Sequence, residues 1–346
     1  MSKSTQSKNS DRSAGAGPLP SWLSISRLRQ WYLNYRAQRE LTEHVVEKID
    51  PQLRWVRGYR KRLRLPLQTC RDHCRKIVEG LPGPIELEPP GYDAHPLIKA
   101  AFRGAGKIEP LLRQAEFEID NSEQQGTRRI ALLSMIHSSK EMFGRKQNGA
   151  MQLGEERLVA ITFADHKIVG LATSLEVSRE KLEKVVFELI IEAASHELAL
   201  RRDDVKELKE RREKLQAMWR IFGGSSRFEE AEEPHSSKER QKLVKIHALL
   251  EETERELSES LRGTESPGDK INYVESHLSS PWTIFEVERL TFRLDWRNVV
   301  TEDPDHQAST VHLARCSLGK EFARDAVLIT YDVGALDTKK ASPNIG

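Results

Sequence analysis

Cys70, His73 and Cys74 fall within the five residues CRDHC, where helical geometry brings both thiols to one side with the imidazole close by. Thiolate and imidazole are zinc ligands, but a tetrahedral site takes four, and no second Cys/His pair of ligand spacing accompanies this one. His312 and Cys316 lie far along the chain. The spacing of Cys70 and Cys74 is also not that of a CxxC redox motif. These two cysteines are expected as small buried apolar residues, with no metal and no cofactor. Glu188, Glu192 and His196 repeat every four residues. Such a row can share a proton or hold a divalent ion, yet it lacks the two histidines of a zincin helix. Solvation or ordinary ion pairing is the simpler reading.

The loop TEDPDHQASTVH gathers Asp303, Asp305 and His306 after a strand-like run ending at Asp295–Trp296. A loop held by a sheet can orient acid, base or ligand, and these three residues are the catalytic candidates. Asp-Pro also makes ordinary turns, and no nucleophile fixes a reaction. AFRGAGK, residues 101–107, has glycine and lysine without the spacing of a phosphate loop. Dinucleotide, kinase and nucleophile-elbow signatures are missing too.

Cations are more concentrated. RWVRGYRKRLRL carries Arg54, Arg57, Arg60, Lys61, Arg62 and Arg64 with Trp55 and Tyr59 between them. Guanidinium and ammonium groups contact phosphates, and exposed aromatics stack on bases, so this stretch is the nucleic-acid candidate. A cationic helix with Trp22, Trp31 and Tyr32 nearby also suits an anionic membrane surface, a weaker alternative.

Whatever does chemistry must be positioned by the rest of a 346-residue chain with 55 basic and 53 acidic side chains. The near balance conceals a basic beginning: residues 1–80 hold 17 basic and 7 acidic groups. Such asymmetry attracts an anionic partner, or lets the basic end pack on the acidic body or on a second copy. No uncharged apolar run reaches transmembrane length. The opening residues lack the apolar core of a signal peptide, and three cysteines cannot make a disulfide framework. A cytoplasmic protein is expected.

Residues 1–20 read as a flexible tail and 21–80 as a basic helical region, with Asp50–Pro51 opening its second helix and Pro66 breaking or kinking it. A Pro/Gly-rich linker or strap covers 81–96. From 97 to 145 the pattern is helical with interruptions. Residues 157–163 and 167–172 read as two strands around an Asp165–His166 turn. The best periodic signal follows. Residues 178–222 and 236–262, the latter opened by a Ser236/Glu239 capping box, predict a long antiparallel helical hairpin, with an intermolecular coiled coil as the rival. After a short helix from Ser266–Pro267, strands are predicted at 284–296, 309–314 and 326–332. Leu290, Phe292, Leu294 and Trp296 alternate on one parity while Phe285 and Val287 take the other. A bulge near Glu288–Arg289 or a switch of packing face reconciles them. The final residues, from 337, read as a polar tail.

The expected fold is α+β, predominantly helical, with the 178–262 hairpin inserted in a 97–336 body and a small antiparallel or mixed sheet. Long partner-demanding helices and sparse catalytic constellations point to a non-enzymatic assembly or adaptor protein. Its partner is a second copy or another protein, met at the helical seam by Leu208, Leu215 and Leu257. The alternatives are a nucleic-acid-associated structural or regulatory protein and an enzyme with a nonlocal acid/histidine site.

Overall fold

The structure, a computed structural model, describes residues 25–87, 95–102, 104–117, 126–148, 152–221, 237–261, 266–301, 307–319 and 322–337. It is α+β and predominantly helical, around one six-stranded sheet that does not close into a barrel. The strands are β1 (Ile85–Glu86), β2 (Arg128–Asn148), β3 (Gln152–Ala172), β4 (Phe285–Leu294), β5 (Ser309–Leu318) and β6 (Phe322–Asp332). They run β3-β2-β6-β5-β4 from edge to edge, all antiparallel, and β1 adds a short parallel pairing to β6.

The largest departure from the sequence pattern is β2, which occupies residues given a helical reading. Ala131, Leu133 and Met135 are buried on one face of the sheet, while Leu132 and Ser134 pack on the other. Coverage on both faces makes the apolar residues consecutive and erases the period of two that marks a strand. Its partner β3 is one continuous strand. Asp165–His166 is a bulge opposite Met135, with Asp165 at φ 49°, and a second bulge lies at Gly170–Leu171. A side chain at Gly170 (φ 68°) would come within 2.7 Å of Leu182, so glycine is needed for both its dihedral and its lack of bulk. In β4 the choice falls on a switch of packing face. Pairing with β5 runs unbroken from Phe285↔Leu318 to Leu294↔Ser309, and odd and even positions pack into different cores.

One face of the sheet carries α1 (Ile25–Ile49), α2 (Tyr59–Glu79), α5 (Leu175–Ile221) and α7 (Pro267–Ser279). The other carries α3 (Pro96–Ala101) and α4 (Ile108–Phe117), with α8 (Val333–Asp337) following β6. The basic helices therefore share a core with the body: Val45, Leu63, Leu67 and Cys70 pack in one cluster with Ile190, Ile271 and Leu328. Residues 81–87 are strapped to β6, where Leu328 N donates to Pro82 O and Leu87 N to Thr330 O.

Asp50 caps a 3-10 turn, Pro51–Trp55, and α2 starts only at Tyr59 after Gly58. Pro66 neither breaks nor ends α2; it sits buried inside it. Burial of Leu63 and Leu67, at about 1.5–3 kcal/mol each, is enough to hold the helix against a proline cost of about 3 kcal/mol.

The 47 residues of α5 span about 70 Å at 1.5 Å per residue. Its first half buries Leu182, Ile190, Ala194 and Leu198 in the body. Its second half packs antiparallel on α6 (Ser237–Leu261), with Arg211 Nη1 3.7 Å from Glu256 and the Trp219 ring 5.2 Å from that of His247. The hairpin thus closes its own seam within one chain. Ser236 lies outside the described residues. A complete Ser266/Asp269 capping box opens α7.

Candidate functional site

The basic stretch divides in two. Arg54 reaches Glu43 and Glu47, Arg60 donates to Glu43 at 2.7 Å, and Arg62 grips Glu275 and Asn272 of α7. Tyr59, half-buried, donates its hydroxyl to Glu43 at 2.5 Å. Those bonds, led by the tyrosine's, outweigh burial and hold the Glu43 carboxyl below its ordinary pKa. Three of the six cations are therefore spent on packing: Arg54 ties the 3-10 turn to α1, and Arg60 and Arg62 fasten α2 to α1 and α7. Arg57, Lys61 and Arg64 are exposed with no ion pair among the described residues, and Trp55 is 75% exposed.

The row on α5 is spent on packing as well. Lys48 of α1 donates to Glu188 at 2.6 Å and to Glu192 at 2.8 Å, and His44 lies 2.7 Å from Glu188. Burial alone would raise Glu188, but these bonds bring it below the usual carboxylate range. His196 is exposed. Cys70 and Cys74 are core residues, where their mutual hydrogen bond and then burial push the Cys70 thiol up. His73 turns away to the Phe285 carbonyl, 2.9 Å off. Among the described residues no group of three or more His, Cys, Asp or Glu converges on a metal position.

Leu215 and Leu257 are buried between α5 and α6, and Leu208 is half-buried on the same helix as Leu215. The outer faces of the hairpin carry the exposed apolar residues Leu200, Met218, Ile221, Val244 and Leu249.

Asp303, Asp305 and His306 lie outside the described residues. Beside that loop, Asp295 is buried and caps its own turn through Arg297 N and Val299 N, both at 2.8 Å. A polar hollow of about 340 Å³ next to it is lined by Lys99, Trp296, Asn298, Gln307 and Ser309 among others.

The sheet assembles a different acid–histidine pair. His137 Nδ1 lies 2.5 Å from Oδ2 of Asp325, itself 1% exposed. A carboxylate only accepts, so Nδ1 carries the proton and Nε2 presents its lone pair to Arg315 Nη1, 3.4 Å away. Phe163 and Phe292 set their edges or faces to the imidazole at 6.4 and 5.5 Å. A histidine whose tautomer is fixed by a buried acid is the arrangement of a general base. His137 and Asp325 are 188 residues apart on β2 and β6, so no local motif announces them.

The least supported surface is the far end of the β2–β3 ribbon. Pairing of β2 with β6 stops at Met135↔Asp325, and the last outside support for β3 is Val300 N donating to Val159 O. Beyond that, Met142–Asn148 and Gln152–Leu158 pair only with one another among the described residues. Met142 and Phe143, on opposite faces of the strand, are 41% and 79% exposed. No helix of the described residues is long and apolar enough to cross a membrane. Set against known proteins, the chain matches no family model, no curated protein and no solved structure.

Proposed function

We propose that this is a cytoplasmic, non-enzymatic assembly protein that holds a second copy or another protein through its projecting arms. The observation that carries the reading is the unsupported ribbon. Its two free segments, Met142–Asn148 and Gln152–Leu158, extend it roughly 23 Å past the sheet at about 3.3 Å per residue. A two-stranded ribbon alone is marginally stable in water, and its free edges invite another strand. With Met142 and Phe143 exposed on both faces, it suits strand addition or a clamp. The outer face of the α5–α6 hairpin offers a second binding surface, while Leu215 and Leu257 serve its internal seam.

The test is to join Glu141 to Val159 through Asn-Gly and compare the trimmed and full chains by light scattering over a range of concentrations, with a cross-linking screen for partners. Association by the full chain that disappears on trimming, at unchanged helical circular dichroism, supports the reading. A full chain that stays monomeric, with cross-links identical to those of the trimmed form, refutes it.

A second reading, an enzyme with a nonlocal acid/histidine site, is favoured by His137–Asp325 with Arg315 alongside. That set suits proton transfer on a small anion held by the guanidinium. Titration with inorganic phosphate or acetate should then move the His137 ring signals in an NMR spectrum, and an immobile ring removes this reading.

A further inference from the structure

Between the sheet and the α2–α5 layer lies a cleft of about 280 Å³ with walls that are largely apolar. Val78, Leu182 and Ala326 form deep parts of it, each 2% exposed or less, and Val185 and Phe322 stand exposed at its lips. Its polar lining is the Ser134 hydroxyl, the Cys316 thiol, Lys167 and Arg324. The thiol is protonated at neutral pH: burial, then the charge of Asp325, pushes it up to about 12.

The two cations are arranged around one acid. Arg324 donates Nε to Ser134 Oγ at 2.7 Å, Nη1 to Asp165 Oδ2 at 2.6 Å and Nη2 to the Asp165 carbonyl at 2.5 Å. Lys167 Nζ stands 3.6 Å from the same carboxylate. A guanidinium has five N–H donors, so two remain uncommitted among the described residues, and two cations face one anion. The cleft is thus apolar along its walls with a net positive charge at one end. An apolar pocket with few convergent polar groups is the usual form of a small-molecule site, and this one is near the lower end of the size range.

We infer that the cleft binds a linear aliphatic carboxylate of medium length, its chain between the sheet and α5 and its carboxylate against Lys167 and the spare N–H groups of Arg324. The occupant is a soluble single chain; a bilayer lipid carrying the same head charge is the competing source. This site is independent of the assembly reading, because it uses neither arm.

The test is calorimetric titration of the full chain with saturated carboxylates from hexanoate to dodecanoate, each below its micellar concentration. Burying each added methylene should tighten binding about fourfold until the cleft is filled, after which affinity levels off. The 1-alkanol of equal length should bind about tenfold more weakly, since it forfeits a charge-assisted bond. Lys167→Gln should weaken the carboxylate and leave the alkanol unchanged. Val185→Trp should block the cleft; Phe322→Ala, at an exposed lip, is the second variant should that one misfold, and should weaken binding about threefold. No saturable binding, affinity independent of length, equal binding of carboxylate and alkanol, or wild-type binding by a folded Val185→Trp would each overturn the assignment. So would co-sedimentation with phosphatidylglycerol vesicles in the absence of any heat from the soluble series.

Discussion

The chain builds two long arms, and they differ in whether the pairing of their own two elements buries an apolar seam. The helical arm of α5 and α6 buries Val205, Leu215, Leu243 and Leu257 against itself. The strand arm of β2 and β3 leaves Met142 and Phe143 in solvent. A heptad-like seam needs a partner helix, but any antiparallel neighbour satisfies it, including one from the same chain. A two-stranded ribbon has no such remedy, because it has two faces and only one partner strand. The seam with the stronger periodicity is therefore closed within the chain, while Met142 and Phe143 of the ribbon stay exposed.

The largest expected effect is at the root of the helical arm. Asp50, 4% exposed, accepts from Lys270 at 2.9 Å and from Arg202 of α5, and Lys270 itself is 7% exposed. Asp50→Ala leaves a buried ammonium without its counter-charge and should cost about 3–5 kcal/mol in a urea unfolding curve. A change under about 1 kcal/mol would mean that Gln52, 2.5 Å from the ammonium, satisfies it alone.

Next comes a direct contrast between the arms. Leu257→Ala should destabilise the chain by about 2–5 kcal/mol through the cavity it leaves. Phe143→Ser, at a site open to solvent, should change stability by no more than about 0.5 kcal/mol while weakening association. If instead Leu257→Ala is neutral in stability and abolishes association, the seam lies between chains and the comparison collapses.

The contrast also explains what the sequence discloses. The hairpin, the short helix at Ser266 and the strands β4 and β5 are legible because one face of each, or a cap, follows a local period. β6, buried on both faces from Asp325 to Tyr331, is legible as a short β-branched run that ends before Gly334. β2 is not. Its inner half is buried on both sides, so Ile130 to Met135 reads as a run without alternation. Missing β2 hides the ribbon, and with it His137, whose partner Asp325 is recognisable only once β2 and β6 lie side by side. The basic stretch is legible as composition, but its partners Glu43, Glu47 and Glu275 come from other helices, so which cations are free is not.

The root of the strand arm should respond to acid. His166, at the bulge, stacks on Phe102 with ring centroids 4.4 Å apart and donates Nε2–H to the Ala101 carbonyl at 3.1 Å. Burial is the leading cause that lowers its pKa below the ordinary imidazole value of about 6.5. The folded state then binds fewer protons than the unfolded one. Its stabilising contribution is complete above about pH 6.5 and declines as pH falls from there toward the folded-state pKa. His166→Gln should flatten this part of the stability–pH curve, read from thermal melts between about pH 7.5 and 5. An unchanged slope would place the titrating group elsewhere.

The smallest effect on stability, and the sharpest on binding, is expected where cations rather than apolar groups face inward or outward. Arg54, Arg60 and Arg62 are tied to acids on α1 and α7, whereas Arg57, Lys61 and Arg64 are exposed, as is Trp55. Changing the outward three to Gln should move stability by no more than about 0.5 kcal/mol. If this surface meets a polyanion, the same change should reduce heparin or single-stranded DNA binding. The slope of log affinity against log salt should then flatten by about 0.7 for each single-strand phosphate that is no longer neutralised. Changing the inward three should do the reverse, loosening α2 and the turn before it with little effect on the salt slope. Composition makes all six cations alike; only the packing separates them. Equal weakening of binding by both triple variants would show that the whole stretch meets the anion and that the inner ion pairs open to do so. No binding by the unaltered chain at low salt would leave the outward cations as a solvated face of α2 and the turn before it.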